Sequence, residues 1–292
     1  MKKDRPVFCQ SGTKAAIGEL VIEAQKLFPL EAEIFCSRFK PLDQAFSRMR
    51  DGMVSHPLKL IYFPLPKSAC TLFATFIALN SNTERAFDPQ KQGVHQFRYR
   101  ERELQLRNLA LVRDDRYFRF TVIRDPYSRL VSAYVDKLVK AVKAGKPWAT
   151  ERKCAGHSFE HMVESLCTMH DARIEKHFRP QAAFIRNIPM DHIGLFDDLG
   201  PTLRVIYDRY GIDIQKDVAS SVRAPKRTNY SQSSYSPSDY VGNLTAREIA
   251  SFKEFPAMEC FYNDRLRNLV SKRYHEDLEI YQQAKSKYVG TD

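Results

Sequence analysis

The feature of this sequence that most constrains its fold is a unit that occurs twice, a short apolar run followed at once by a helix. The run LKLIYFPLP (58–66) leads into KSACTLFATFIALN (67–80), in which apolar residues recur at helical spacing. The run YFRFTVIRD (117–125) leads into Pro126, which suits the first position of a helix, and we predict a helix over 126–143. Strands that alternate with helices are typical of a parallel sheet covered on both faces.

The rest of the chain continues this alternation. A third strand is predicted at MDHIGLF (190–196), followed by a helix that ends near Gly211. Ser158 has the chemistry of an N-cap for a helix that reaches residue 169. We also predict helices near 100–112, over 244–255 and from Met258 to about residue 287, and a long loop over 220–240. The predicted fold class is therefore α/β, a three-layer sandwich with a central parallel sheet.

The length of 292 residues allows one large domain with an extension. The segment TKAAIGELVIEAQKLF (13–28) has apolar residues at helical spacing, so we predict an N-terminal helical extension over residues 1–55. The strand–helix units and the candidate site residues all follow it. We therefore predict that residues 56–292 form a single domain that carries the site.

Composition restricts the partners and the compartment. The 46 Lys and Arg residues against 35 Asp and Glu give a net charge of +11, which favours an anionic partner or serves only solubility. The six cysteines form no C-x-x-C pair, so we expect free thiols in a reducing compartment. Without an apolar run of about 18 residues or a signal-peptide pattern, we expect a soluble, cytoplasmic chain, with contact to a membrane surface and homo-oligomer formation left open.

The loop between the first strand and its helix has the features of an anion site. In PLPKSACTL (64–72) a helix begins just after Lys67, and a helix N-terminus offers unpaired backbone N–H groups and a positive dipole end. Lys67 adds a charge, and Ser68 and Thr71 add hydroxyl donors. The run lacks the glycines of G-x-x-x-x-G-K-[ST], which argues against a kinase or ATPase. A plain strand–helix connection with an exposed lysine would have the same pattern.

The end of the second strand carries another candidate for anion binding. Arg124 closes a buried strand, at the edge where ligands of open α/β sheets bind, and a guanidinium suits bidentate contact with phosphate. Ser132 lies about two helical turns further on, within reach of the same anion. The alternative is that Arg124 pairs with a local carboxylate such as Asp125.

Together, PKSACTL and RDPYSRLVSAY resemble the two halves of the site for 3′-phosphoadenosine 5′-phosphosulfate (PAPS) in the Golgi carbohydrate sulfotransferases of the HNK-1 and chondroitin 4-O type. The heparan sulfate 2-O-sulfotransferases are more distantly similar. The resemblance continues through HFRPQ (177–181), HIGLFDDLGPTL (192–203) and RTNYS (227–231), and covers residues 58–265. It implies a P-loop-kinase-like sulfotransferase fold and metal-independent transfer of a sulfuryl group from PAPS to a hydroxyl of a carbohydrate or glycan-like acceptor, with PAP as the product.

The resemblance also implies roles for individual residues. Arg124 and Ser132 would hold the 3′-phosphate, and Arg227, in a late basic loop, would close over the nucleotide. We expect the chain to differ from the Golgi enzymes in having neither a membrane anchor nor their lumenal cysteines. We therefore expect a soluble bacterial enzyme that acts on a surface polysaccharide, a lipid-linked glycan or a secondary metabolite. The loop that would hold the 5′-phosphosulfate consists of Pro66, Lys67, Ser68, Ala69, Cys70 and Thr71.

Sulfuryl transfer by in-line displacement needs a cation at the leaving oxygen and a base for the acceptor proton. Lys67 is placed to stabilise the leaving phosphate oxygen. Histidine is the natural base near neutral pH. Two histidines resemble the base of this family, His95 in GVHQFRYRE and His177 in KHFRPQ, and sequence spacing does not decide between them.

Three other interpretations have less support. HSFEH (157–161) matches the H-x-x-E-H string of zinc peptidases, but with Ser158 as N-cap the first histidine precedes the helix. A nucleotide kinase-like phosphotransferase needs a glycine-rich loop and Mg²⁺-binding carboxylates, and neither is found at the expected place. A non-catalytic polyanion- or nucleic-acid-binding protein would explain the positive charge, but no nucleic-acid-binding motif is present, so we expect no nucleic-acid partner.

Overall fold

The structure, a computed structural model, describes residues 52–146, 156–218 and 239–288. Within these ranges four strands form one sheet in the order β1-β2-β3-β4. The α/β class and the three predicted strands are confirmed, whereas the antiparallel strand at the sheet edge was not predicted. That strand, β1 (Met53–Ser55), pairs with β2 (Leu60–Tyr62), and β2, β3 (Phe118–Ile123) and β4 (His192–Leu195) run parallel.

Helices make up most of the remaining described chain. Those before β4 are α1 (Cys70–Leu79), α2 (Val94–Arg100), α3 (Pro126–Tyr134), α4 (Lys140–Lys143), α5 (Phe159–Thr168) and α6 (Ala182–Ile185). Those after β4 are α7 (Gly200–Tyr210), α8 (Ile214–Asp217), α9 (Ala246–Ala250), α10 (Asp264–Arg273) and α11 (His275–Tyr288). A π-helical turn over Val135–Val139 joins α3 to α4, and 3-10 turns cover Arg102–Leu104, Leu109–Arg113, Asp171–Arg173 and Met258–Phe261.

Alternate side chains of the central strands pack into different apolar clusters. Tyr62 of β2 and Phe120 of β3 share a cluster with Phe73 of α1, and the Tyr62 and Phe120 ring centroids lie 4.8 Å apart. Ile61 packs with Phe184 of α6 in a second cluster, as the period of two along a strand requires. All residues of β3 are buried, so this strand is covered on both faces. The parallel strands also bring the loops that follow them to one edge of the sheet.

The prediction of a helix near residues 100–112 is wrong. α2 ends at Arg100, and the chain continues through two 3-10 turns with extended residues between them. The break has a tertiary cause, because Leu106 N–H donates to Gly52 O at 3.1 Å and ties this segment to the strand edge at β1. A backbone donor used in that way is not available to a helix. Asn108 then caps the second turn with its side-chain oxygen.

The helix predicted over 244–255 is shorter than expected. A capping box between Thr245 and Glu248 starts α9, which ends at Ala250. The Ser251 hydroxyl donates to Glu248 O at 2.6 Å, a local bond that competes with continuation of the helix. The helical run predicted from Met258 onward is divided into a 3-10 turn, α10 and α11.

Several helix boundaries match the prediction. Asp125 accepts a hydrogen bond from Ser128 N–H at 2.9 Å and starts α3 with Pro126 in the first turn. Ser158 accepts from His161 N–H at 3.1 Å as the N-cap of α5, so His157 precedes that helix. The His157 and His161 ring centroids lie 4.5 Å apart, but within the described residues no third metal-ligating side chain is grouped with them.

Part of the prediction falls on residues that the structure does not describe. Of the predicted extension over residues 1–55, residues 1–51 lie outside the described residues. The last three residues of that range, Met53–Ser55, form β1. Arg227 also lies outside the described residues, with most of the loop predicted over 220–240. In the described ranges, none of the helices is both long enough and apolar enough to cross a bilayer.

Candidate functional site

The loop that joins β2 to α1 has an uncommon backbone. Lys67 has a φ of 71° and Ala69 a φ of 55°, both in the left-handed region that residues other than glycine rarely occupy. Ala69 directly precedes α1 and provides no side-chain cap. The N–H groups of Cys70 and Thr71 donate no hydrogen bond to any described residue. A strained loop that leaves donors free at a helix N-terminus is typical of an anion-binding site.

Lys67 is held by a carboxylate from the helix that follows β3. Its Nζ lies 3.3 Å from Asp136 Oδ2, and its side chain is only 21% exposed. Burial lowers the pKa of Lys67, and the nearby Asp136 only partly opposes that effect. For Asp136, burial alone would raise the pKa, but the attraction of Lys67 and Lys137 outweighs it, so the pKa of this carboxyl is lowered. The Asp136 carboxylate is therefore ionised at neutral pH beside Lys67.

Arg124 lies at the end of β3 and reaches the same loop. Its side chain is buried, with Nε donating to Ser128 Oγ at 3.0 Å and Nη1 donating to Lys67 O at 3.3 Å. The guanidinium carbon lies 4.3 Å from the centroid of the Phe196 ring, just beyond β4. Asp125, the local carboxylate considered as an alternative partner, caps α3 instead. The two anion-binding candidates, Lys67 and Arg124, thus belong to one site.

Ser132 lies between these two cations on the helix that follows β3. Ser128, Ser132 and Asp136 succeed one another at intervals of four residues, so they share one side of the helix. Ser128 contacts Arg124 at one end of this row, and Asp136 contacts Lys67 at the other. The Ser132 hydroxyl makes no hydrogen bond with any described residue and is half-buried. It is therefore a free donor between the two cations.

Ser68 is turned away from the open side of the loop. Its side chain is fully buried, and its hydroxyl donates to Gln181 Oε1 at 3.1 Å. The buried Arg129 also holds the loop, because its Nε donates to Pro66 O at 3.1 Å. The sequence indicated Ser68 as a hydroxyl donor to an anion, but in the structure this hydroxyl anchors the loop to the core.

His95 of α2 lies against the first turn of α1. Its Nε2 is 3.1 Å from Thr71 Oγ1 and 3.8 Å from Cys70 Sγ. Burial of the imidazole, together with positive charge from Arg98 and Lys176, lowers its pKa to about 4. His95 is therefore neutral at neutral pH, and its Nε2 faces the Thr71 hydroxyl at the edge of the loop.

His177 is oriented by a carboxylate. Its Nδ1 lies 2.7 Å from Glu175 Oε1, and its backbone N–H donates to Glu175 Oε2 at 2.9 Å. An ionised carboxylate only accepts hydrogen bonds, so Nδ1 carries the proton and Nε2 is left as an acceptor. His177 lies close enough to His95 to contribute to the lowering of the pKa of His95.

One comparison with known proteins decides the family. The model of sulfotransferase family 2 matches residues 50–283, most of the chain. The chain belongs to the sulfotransferase family. The matched range of this sulfotransferase starts just before β1 and includes all four strands and the Lys67 and Arg124 loops. No curated protein and no solved structure gives a significant match to the chain.

The sulfotransferase site contains residues that sequence reasoning missed. Asp136 was detectable, because it follows Ser132 by four residues on a predicted helix. Gln181, Arg129 and Phe196 lie in segments that carry the family resemblance, but their spacing assigned them no contact, since each reaches the site only through the tertiary fold. In the described ranges, no three His, Cys, Asp or Glu side chains are grouped as metal ligands.

Proposed function

We propose that this sulfotransferase transfers a sulfuryl group from PAPS to a hydroxyl of a carbohydrate or glycan-like acceptor. The observation that carries the proposal is the contact between Arg124 Nη1 and Lys67 O at 3.3 Å. It joins two cationic loops at the carboxyl ends of neighbouring parallel strands, where nucleotides bind in open α/β folds. The proposal includes the P-loop-kinase-like, three-layer form of the fold.

The donor would bind along the row between Lys67 and Arg124. Lys67 and the free N–H groups of Cys70 and Thr71 suit the 5′-phosphosulfate, with Pro66 and Ala69 shaping the loop. Arg124, supported by Ser132, suits the 3′-phosphate. Three features support this placement of the donor: the backbone of the loop around Lys67, the buried guanidinium of Arg124 and the free hydroxyl of Ser132. Arg227 remains a proposed contact to the nucleotide.

The chemical step would form one bond to sulfur and break another. The acceptor oxygen attacks the sulfur, the bond from sulfur to the 5′-phosphate oxygen breaks, and PAP leaves with the electron pair. Lys67 would stabilise the charge that develops on the leaving phosphate. No residue needs to change oxidation state, and the proposed reaction is metal-independent.

The proton of the acceptor hydroxyl would go to a histidine. His95 suits this role because it is neutral at neutral pH and lies against Thr71 in the first turn of α1. His177 suits it because Glu175 fixes its tautomer and leaves Nε2 free to accept. Both remain candidates, and their separate substitution distinguishes them.

A carbohydrate acceptor is supported by the surface beside His95. Tyr99 lies one helical turn from His95 on α2 and is 56% exposed, among the most exposed large apolar residues of the described chain. Arg98 fixes this ring, since its guanidinium lies 4.7 Å from the ring centroid and Nη2 donates to the Tyr99 hydroxyl at 3.1 Å. A rigid, exposed aromatic ring with a polar end suits the mixed apolar and polar faces of a sugar.

Thermal unfolding with and without PAP tests the donor site. A ligand that binds only the folded state adds roughly 2.7 kcal/mol of stability at about 100 times its Kd. We expect PAP to raise the Tm of the wild type more than AMP or ATP does. We expect Arg124→Ala to lose this rise, whereas Arg116→Ala, which removes an exposed arginine paired with Asp114, keeps it.

The outcomes separate the candidate functions. A rise with PAP justifies an acceptor screen with PAPS and sugars. A larger rise with ATP than with PAP would favour a phosphotransferase. No rise at millimolar PAP would overturn the PAPS proposal and leave polyanion binding as the function to test next.

A further inference from the structure

Gln181 lies between the two halves of the proposed donor site without facing solvent. Its side chain is fully buried just before α6. Oε1 accepts from Ser68 Oγ at 3.1 Å and from Arg124 N–H at 3.0 Å. Nε2 donates to Arg124 O at 2.8 Å. One amide group thus binds the phosphosulfate loop and the main chain of the 3′-phosphate arginine at once.

The identity of the side chain follows from this pattern. The position needs an acceptor that takes two hydrogen bonds and a donor on the same planar group, which an amide provides. The contact to Arg124 N–H and O resembles one rung of a β-ladder and fixes which amide atom is oxygen. Because Gln181 is inaccessible, water does not replace these bonds, and their loss leaves buried polar groups unpaired.

The backbone of Gln181 is fixed in turn by the C-terminal helix. Asp277 of α11 is fully buried, and its two carboxylate oxygens accept from Gln181 N–H at 2.8 Å and Ala182 N–H at 2.7 Å. The positive charge of Arg129, which also donates to Pro66 O, lies close enough to act on Asp277. Gln181 therefore cannot shift without breaking bonds to a rigid helix, so it transmits a fixed geometry to both loops.

We propose that Gln181 is a positioning residue that couples the two ends of the donor site. It sets the distance between the loop for the 5′-phosphosulfate and the arginine for the 3′-phosphate before the nucleotide arrives. This inference rests on the proposed PAPS function. Its consequence is specific, because a ligand with both phosphates benefits from pre-aligned loops, whereas a ligand with one phosphate needs only one loop.

Binding of three nucleotides to Gln181→Met tests the coupling. Methionine has a similar length but no hydrogen-bonding amide. We expect the variant to weaken PAP binding by about tenfold or more, the effect of one or two lost buried hydrogen bonds. We expect binding of AMP and of adenosine 3′-phosphate to weaken by less than about threefold. Equal weakening of all three nucleotides would overturn the proposal.

Two further variants separate coupling from stability. Tyr274→Phe removes a buried hydroxyl that donates to Phe178 O at 2.6 Å and to neither loop, and we expect it to lower the Tm but leave all three affinities unchanged. If Gln181→Met does not fold, Ser68→Ala removes one of the same bonds from the loop side. We expect Ser68→Ala to weaken PAP binding more than AMP binding, by a smaller factor than Gln181→Met does. A ratio of PAP affinity to AMP affinity equal to that of the wild type would overturn the proposal.

Gln181→Glu provides a rescue that depends on pH. A protonated carboxyl has one acceptor and one O–H donor and reproduces the amide pattern, whereas the ionised form has no donor for Arg124 O. We expect PAP affinity, expressed relative to wild type at each pH, to approach that of wild type at pH 5.5. Weak relative binding at pH 5.5 as well as at pH 8 would overturn the role of the hydrogen bonds. Wild type that binds no PAP at any pH would instead overturn the donor site itself.

Discussion

Lys67 Nζ lies 3.3 Å from Asp136 Oδ2, so the lysine of the proposed phosphosulfate loop is paired with a carboxylate. Asp136 also lies 3.4 Å from Lys137 Nζ and thus serves two lysines. A phosphosulfate group that binds Lys67 must take the place of this carboxylate or share the lysine with it. Asp136 therefore holds Lys67 in position at the cost of competing with the donor.

The variant Asp136→Asn tests this competition. We expect it to tighten PAP binding about threefold to tenfold, because removal of a negative charge near the phosphate lowers repulsion. The free energy of unfolding should fall by less than about 1 kcal/mol, since the ion pair is partly exposed to water. Titration calorimetry and urea unfolding measure the two effects.

A surface ion pair provides the control for that variant. Asp88 lies 3.2 Å from Lys91 on an exposed loop, and we expect Asp88→Asn to change neither PAP affinity nor stability appreciably. If Asp136→Asn weakened PAP binding instead, the carboxylate would serve mainly to orient Lys67, and the competition would be refuted.

The second prediction concerns the contribution of Arg129 and Asp277 to the free energy of unfolding. Both side chains are fully buried, and Arg129 also donates to Pro66 O and to Arg179 O. We expect Arg129→Met to lower the free energy of unfolding by about 3–5 kcal/mol, because its hydrogen bonds to Pro66 O and Arg179 O are lost and because Asp277, whose pKa burial raises, loses the positive charge that opposes this effect. Urea unfolding measures the loss.

A double substitution identifies the cause of that loss. In Arg129→Met with Asp277→Asn, the remaining charge is gone, and we expect part of the stability to return. An additive or larger loss in the double variant would show that lost packing and hydrogen bonds, and not the unpaired charge, set the cost.

The sequence predicted those parts of the site that depend on local pattern and parallel topology. Lys67 and Arg124 each follow a buried strand, and neighbouring parallel strands bring such positions to one edge. Gln181 was not predictable as a site residue from local pattern, because its partners Ser68 and Arg124 lie far away in the chain and no periodicity encodes a tertiary amide contact.

Two misjudged elements have the same physical origin. β1 has only three residues, and it is defined by pairing with β2 across a turn in which Lys59 has a φ of 49°. The segment after Arg100 has helical composition, but Leu106 N–H bonds to Gly52 O at the edge of that strand. In both cases backbone pairing with another segment overrides the local pattern.

His192 makes stability depend on pH. Its Nε2 lies 3.1 Å from Thr202 Oγ1 and 3.2 Å from the Tyr288 hydroxyl, and burial lowers its pKa to about 4. Between pH 6.5 and 4 the unfolded chain takes up a proton at this residue while the folded chain does not, so stability falls as pH falls. We expect His192→Asn to remove up to about 2 kcal/mol of the difference in unfolding free energy between pH 7.5 and pH 5.

Urea unfolding of both proteins at the two pH values checks this expectation. His275 is an exposed histidine at the start of α11, and His275→Asn is the matched control, in which the pH difference should stay as in the wild type. An unchanged pH difference in His192→Asn would mean that the histidine takes up a proton in the folded state as readily as in the unfolded chain.

The lowered pKa of His95 leads to the last prediction, on the pH dependence of sulfuryl transfer. With a pKa of about 4, His95 keeps its lone pair through the neutral range and loses it only in acid. If His95 is the base, kcat/KM for PAPS should stay level from pH 8 to about pH 5 and fall as the pH approaches 4. The affinity for PAP over the same range corrects for titration of the nucleotide phosphates.

Two asparagine variants assign that profile to one histidine. Asparagine keeps a polar side chain of similar reach but cannot take the proton, so the base variant should lose about 100-fold or more in kcat with little change in PAP affinity. Loss in His95→Asn with activity retained in His177→Asn assigns the base to His95. The reverse result assigns it to His177 and its partner Glu175, and His95 then serves to hold Thr71 at the start of α1.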